Sequence, residues 1–125
     1  MEVQIKYTTM LINDMEESVK FYRDVLGFEV DGTYRLPPEG DPVIGSITTM
    51  RSKKGDTMIE LIKNDMDSAG FYSIGMEVTD MDEAMSQMRA KGVKILAGPA
   101  PTVYGCCSFI EDPNGVRICL IYHAA

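Results

Sequence analysis

The chain carries a single histidine, His123, close to its C-terminal end, and only three cysteines, Cys106, Cys107 and Cys119. Imidazole is the commonest transition-metal ligand, so one histidine leaves little from which to build a metal centre of the usual kind. An odd number of cysteines with no secretory signal fits a reducing compartment rather than a disulfide framework. No apolar run approaches the roughly 18 residues of a membrane span. The opening Met1-Glu2-Val3-Gln4-Ile5 also lacks the basic and apolar regions of a signal peptide, so the expected location is cytoplasmic. Basic residues are scarce as well: 12 Lys and Arg stand against 19 Asp and Glu, a formal net charge of -7. Without a basic cluster, nucleic acid and membrane surfaces are not expected partners, and a neutral or cationic small molecule suits the charge better.

What is present is ordinary globular composition, 45% hydrophobic and 25% charged over 125 residues. That is enough for one compact domain with a real core and too little for two independent ones. The chain also repeats itself. Asn13-Asp14-Met15-Glu16-Glu17-Ser18-Val19 returns as Thr79-Asp80-Met81-Asp82-Glu83-Ala84-Met85, 66 residues later. One domain of two half-modules follows, with bounds near residues 1–63 and 70–125.

Val3 to Ile12 reads as a strand. Asp14 with Glu17 three residues on forms a helix-opening signal, and Met15, Val19, Tyr22 and Leu26 mark one apolar face of a helix that should run to about Leu26 and stop at Gly27. A strand from Phe28 to Tyr34 leads into Leu36-Pro37-Pro38-Glu39-Gly40-Asp41-Pro42, a loop that could cover a cavity mouth. Ile44–Ser52 and Thr57–Ile62 pair around Lys53-Lys54-Gly55-Asp56, and Asn64–Gly70 links the halves. The second half repeats the plan. It has a strand at Tyr72–Val78, a helix capped by Asp80 and stopped at Gly92, and a strand beginning at Val93. A loop at Ala97-Gly98-Pro99-Ala100-Pro101 then precedes strands at Val103–Ile110 and Val116–Tyr122, joined by the hairpin Asp112-Pro113-Asn114-Gly115.

Successive strand residues point to opposite faces, so Ile59 and Leu61 oppose Met58, Glu60 and Ile62, while Ile118, Leu120 and Tyr122 oppose Arg117, Cys119 and Ile121. The uniformly apolar faces should pack on helices. The mixed faces, with Glu60 and Arg117, should line a hollow. By the same alternation Cys106 and Cys107 diverge, which makes joint binding of a soft metal or metalloid the lesser reading.

The order of elements, with Phe21-Tyr22-Arg23-Asp24-Val25-Leu26-Gly27 after the first strand and Glu111-Asp112-Pro113-Asn114-Gly115 before the last, resembles the vicinal oxygen chelate superfamily. That group includes glyoxalase I, extradiol dioxygenases, fosfomycin-resistance enzymes and bleomycin-binding proteins. The resemblance covers essentially the whole chain. It implies an α+β fold of two tandem βαβββ modules that form a curved, cleft-enclosing mixed sheet, often completed by a second subunit. A homodimer is therefore expected, with module pairing within one chain or between two left open.

In metal-using members of that superfamily, ligands come from the first and last strand of each module. Counting from the motifs, these positions hold Tyr7, Glu60, Ser73 and Cys119. Glu60 alone is an ordinary ligand for a hard divalent cation. Tyr7 would have to lose a proton of pKa about 10, Ser73 is a weak neutral donor and Cys119 is soft. The resemblance with this donor set implies a protein that uses no cofactor and no catalytic metal, although a divalent metal stays open.

Glu60 could hold a ligand's positive group, act as a general base if burial raises its pKa, or pair with Arg117; the three readings stay open. Tyr7 could stack on or hydrogen-bond a ligand, or merely fill the space of a metal. Cys119, with no histidine placed beside it, reads as packing rather than as a nucleophile. His123 reads as solvated. The expected ligand-binding set is Tyr7, Thr9, Met58, Glu60, Ser73, Tyr104, Arg117 and Cys119, and Glu60 is the one catalytic candidate. The expected function is binding of a small organic molecule in a partly apolar cleft, in the manner of the drug-sequestering, antibiotic-resistance members. The alternatives are a glyoxalase-like metal-dependent lyase or isomerase or a dioxygenase with an atypical site, and a non-catalytic interaction module.

Overall fold

A computed structural model describes residues 2–55, 57–64 and 68–124. Asp56 of the expected turn and residues 65–67 of the expected link lie outside the described residues. The elements are β1 (Val3–Leu11), α1 (Met15–Lys20) continued by a π-helical turn (Phe21–Val25), β2 (Glu29–Leu36), β3 (Gly45–Arg51) and β4 (Met58–Asn64). They are followed by β5 (Gly70–Val78), α2 (Met81–Ala90), β6 (Lys94–Pro101), β7 (Gly105–Glu111) and β8 (Arg117–His123). Each half is thus strand, helix, three strands, as the repeat requires. The chain forms two compact units, Tyr7–Tyr72 and Ser73–Ala125, and the segment Met1–Lys6 packs with the latter. An ion pair of Lys6 Nζ with Glu77 Oε2 at 4.0 Å helps to hold that segment. Among the described residues, no helix is long and apolar enough to cross a membrane.

In the Tyr7–Tyr72 unit the strands run in the order β2-β3-β4-β1, with β1 parallel to β4 and the other pairs antiparallel. Asp14 caps α1, its Oδ1 accepting from the Glu17 amide at 2.9 Å, which satisfies one of the orphan donors of a helix start. Helix α1 packs on β3 and β4. Thr48, Met50 and Leu61, all buried, share the face beneath it, and Tyr22 Oη reaches Met10 Sδ at 3.6 Å.

The expected apolar helix face ends early. The helix widens into a π turn over Phe21–Val25, which adds residues to the turn, so Leu26 no longer falls over Tyr22 as it would at i, i+4 spacing. Leu26 is accordingly 52% exposed. The stop at Gly27 is as expected: it adopts φ +76, and the Phe28 amide donates back to the Tyr22 carbonyl at 2.8 Å.

In the Ser73–Ala125 unit the order is β5-β8-β7-β6, with β5 parallel to β8 and the other pairs antiparallel. Asp80 caps α2 through the Glu83 amide at 3.0 Å. Helix α2 sets Met81, Ala84 and Met85 against Val78, Ile110 and Leu120, the buried core of this unit. The hairpin before β8 is held by Asp112 Oδ1, which accepts from the amides of Asn114 and Val116 at 2.8 Å each.

The Ala97–Pro101 segment, expected as a loop, is part of β6. Two irregularities in its pairing with β7, after Ile95 and after Ala97, absorb the Gly and Pro residues. Proline lacks a donor but is tolerated on an edge strand, which β6 is within its sheet, so the local turn signal loses to the pairing partner.

One glycine in each half shows the repeat at atomic scale. A Cβ on Gly45 would collide with the Lys63 carbonyl oxygen, and one on Gly105 with the Tyr122 carbonyl oxygen. Both open the third strand of their module, where the last strand crosses too closely for any side chain.

Candidate functional site

In the Tyr7–Tyr72 unit, register decides which residues meet. The parallel pairing sets Tyr7 opposite Met58, Thr9 opposite Glu60 and Leu11 opposite Ile62. The antiparallel pairing sets Thr49 opposite Glu60 on its other side. Opposed residues point to one face, so Thr9, Glu60 and Thr49 form a cross-strand row on the side away from α1. Thr9 and Thr49 are 2% and 4% exposed.

Thr9 Oγ1 donates to Glu60 Oε1 at 3.0 Å. Burial pushes the Glu60 carboxyl above its ordinary pKa, and the Thr9 hydrogen bond pulls the other way but only partly offsets it. Burial thus makes Glu60 harder to ionise than an ordinary carboxyl; its oxygens accept hydrogen bonds from a ligand, and its protonated form can also donate. Tyr7, Thr9, Met58 and Glu60, all expected site residues, thus share one face.

The row continues past what the sequence reading identified. Thr49 Oγ1 lies 3.4 Å from Asp31 Oδ2. Asp31 is the extra residue of an irregularity in β2, where Val30 pairs with Met50 and Gly32 with Thr49. The signal that could have found it is Asp31-Gly32 inside a strand pattern, since an interior glycine often marks a bulge.

In the Ser73–Ala125 unit, Cys119 lies between Gly75 of β5 and Phe109 of β7, and Arg117 opposite Glu111. Ser73, 2% exposed, precedes Gly75 by two residues and so points to the same face as Cys119. Tyr104 lies elsewhere. It is 57% exposed just before β7, edge-on to His123 with ring centroids 6.3 Å apart. His123 Nδ1 stands 3.8 Å from Glu77 Oε2. Cys106 packs on the α2 side with Ile110 and Leu120, where burial pushes its thiol pKa up. Cys107 pairs with Ile121 on the other face, so the two neighbours do diverge. An open depression of about 440 Å³, lined by Glu2, Val3, Gln4, Glu77, Val78 and Thr79, holds none of the expected site residues.

Residues 4–120 match the Glyoxalase/Bleomycin resistance protein/Dioxygenase superfamily. The chain belongs to this superfamily. A probable lactoylglutathione lyase of Synechocystis is 28% identical over 123 residues, covering 92% of each chain. The methylmalonyl-CoA epimerase of Streptomyces coelicolor, solved with 2-nitronate-propionyl-CoA, superposes with a TM-score of 0.79 at 25% identity, covering 98% of each chain. A hypothetical protein of Bacillus halodurans reaches a TM-score of 0.84 at 18% identity, over 100% of this chain and 97% of that one; at that identity the likeness concerns the fold alone.

As a superfamily member the chain raises the question of a metal. Its four corresponding positions hold a phenol, a single carboxyl, a buried serine and a thiol. Among the described residues, no three His, Cys, Asp or Glu side chains gather as a metal site. A hard divalent cation wants several anionic or imidazole donors, so this set does not fit one.

Proposed function

We propose that this superfamily member binds a small, partly apolar organic molecule on the Glu60 face, through hydrogen bonds rather than through a divalent cation. The observation that carries the reading is the Thr9–Glu60–Thr49 row: a half-buried carboxyl set between two buried hydroxyls, with Thr9 donating to it at 3.0 Å. Such a carboxyl offers its remaining oxygen as an acceptor to a hydroxyl-bearing ligand, and the neighbouring Tyr7 and Met58 offer apolar contact. The same reading takes the protein to be a cytoplasmic homodimer of sequestering type.

The relatives favour a second reading. Lactoylglutathione and methylmalonyl-CoA are both acyl thioesters by name, so a lyase or epimerase working on the carbon beside a thioester carbonyl is the enzymatic alternative, with Glu60 as its base.

The test uses protein purified without chelators, on which bound metal, co-purifying organic mass and turnover are measured. Turnover is assayed with methylglyoxal plus glutathione, and with methylmalonyl-CoA in deuterated water. The binding reading expects substoichiometric metal, no turnover, and a bound organic mass that Glu60→Gln loses. Stoichiometric metal, or turnover abolished by Glu60→Gln, overturns it in favour of the enzyme.

A further inference from the structure

The β2 edge of the Glu60 face carries a device that the proposed function leaves unused. At the irregularity between Val30 and Gly32, two residues of β2 oppose one of β3, and such bulges re-aim a side chain. Here the re-aimed group is the Asp31 carboxylate, brought within 3.4 Å of the Thr49 hydroxyl on the Glu60 row. Asp31 is exposed, and among the described residues no cation pairs with it. The nearby Arg51 is engaged by Glu29 at 3.6 Å.

Gly32 completes the device. A Cβ there would stand 2.5 Å from Tyr34 Oη, 2.8 Å from Cζ and 3.0 Å from Cε2, so the Tyr34 ring lies back along the strand over the glycine. The phenol hydroxyl therefore occupies the place of a residue-32 side chain, directly across from Thr49. Neighbouring strands are about 4.8 Å apart, so this hydroxyl and Glu60 are separated by roughly two strand spacings, near 10 Å. A small aromatic or short-chain molecule with a polar group at each end fits that separation.

We propose that Asp31 and Tyr34 form a second subsite for the same ligand, one that takes a protonated amine while the Glu60 end accepts from a hydroxyl. This rests on the reading that the Glu60 face binds the ligand. The Asp31 carboxylate supplies the charge, the Tyr34 phenol accepts a second hydrogen from the amine, and Thr49 positions Asp31 by donating to it. Gly32 is a positioning residue, because any side chain there expels the phenol from its place.

The probes are tyramine and 4-ethylphenol, which share a phenol and differ in the amine, titrated into the full chain with amide NMR shifts as readout. The wild type should bind tyramine at least tenfold more tightly. Asp31→Asn should bring the two compounds within about twofold of each other, and Tyr34→Phe should cut the ratio in part. Gly32→Ala, whose Cβ meets only the movable end of Tyr34, should act like Tyr34→Phe while the rest of the spectrum stays intact. Glu60→Gln should weaken both compounds alike and keep their ratio. A ratio that survives Asp31→Asn, or no binding of either compound, overturns the subsite. Affinities for both compounds that Glu60→Gln leaves unchanged, with the ratio still sensitive to Asp31, overturn the Glu60 end alone.

Discussion

Thr9 and Glu60, 51 residues apart in sequence, are direct partners on adjacent parallel strands, and the threonine hydroxyl donates to the carboxyl at 3.0 Å. The bond links the first and last strands of the module, and it opposes the effect of burial on the Glu60 carboxyl. Thr9→Val keeps the shape and removes the donor. Glu60 should then titrate at higher pH than in the wild type, seen in the carboxyl carbon shift by NMR. The fold should lose about 1–3 kcal/mol in urea denaturation, the cost of an unsatisfied buried acceptor.

Glu60→Gln should change how stability depends on pH. With its folded pKa above the ordinary 4.5, Glu60 holds its proton in the native state where the unfolded chain has released it. Its contribution is complete below pH 4.5 and is lost as pH rises through the folded value. The wild type should therefore decline relative to Glu60→Gln over that window, by about 1.4 kcal/mol for each unit of pKa separation. Parallel stability curves from pH 4 to 8 would contradict the burial of this carboxyl.

Gly45→Ala and Gly105→Ala should each destabilise by about 1–3 kcal/mol or more, because the added methyl meets a backbone carbonyl of the neighbouring strand that cannot step aside. Gly115→Ala has open space around its Cβ and costs only its φ of +86. Thermal denaturation of the three variants should rank Gly115→Ala as the mildest.

The π turn predicts an asymmetry between two leucines. Leu120→Ala, in the α2 core at 3% exposure, should cost about 2–5 kcal/mol. Leu26→Ser should stay within about 0.5 kcal/mol, as surface changes do. A large loss at Leu26 would return that residue to the buried helix face that the 3–4 spacing describes.

Local chemistry was legible in the chain. Asp14 and Asp80 cap their helices because the acceptor and the amide it satisfies lie three residues apart, within reach of a sequence reading. Gly27 and Gly92 end the helices with φ of +76 and +73, for which glycine is the natural residue. The face carrying Tyr7, Thr9, Met58 and Glu60 followed from strand alternation together with the internal repeat. The π turn did not, because apolar spacing alone cannot report a turn that widens. Nor did the strand character of Ala97–Pro101, where Gly and Pro describe a loop until β7 is in place beside them.

The sequence by itself determined the two-module plan, the superfamily and the capped helices, because each depends on residues close together or on a pattern repeated along the chain. Only the tertiary structure decided that Thr9 and Thr49 flank Glu60, that Asp31 is turned onto their row and that Tyr34 lies over Gly32. Those relationships depend on cross-strand register, and a one-residue bulge in one strand redirects side chains in a way that its own sequence does not specify.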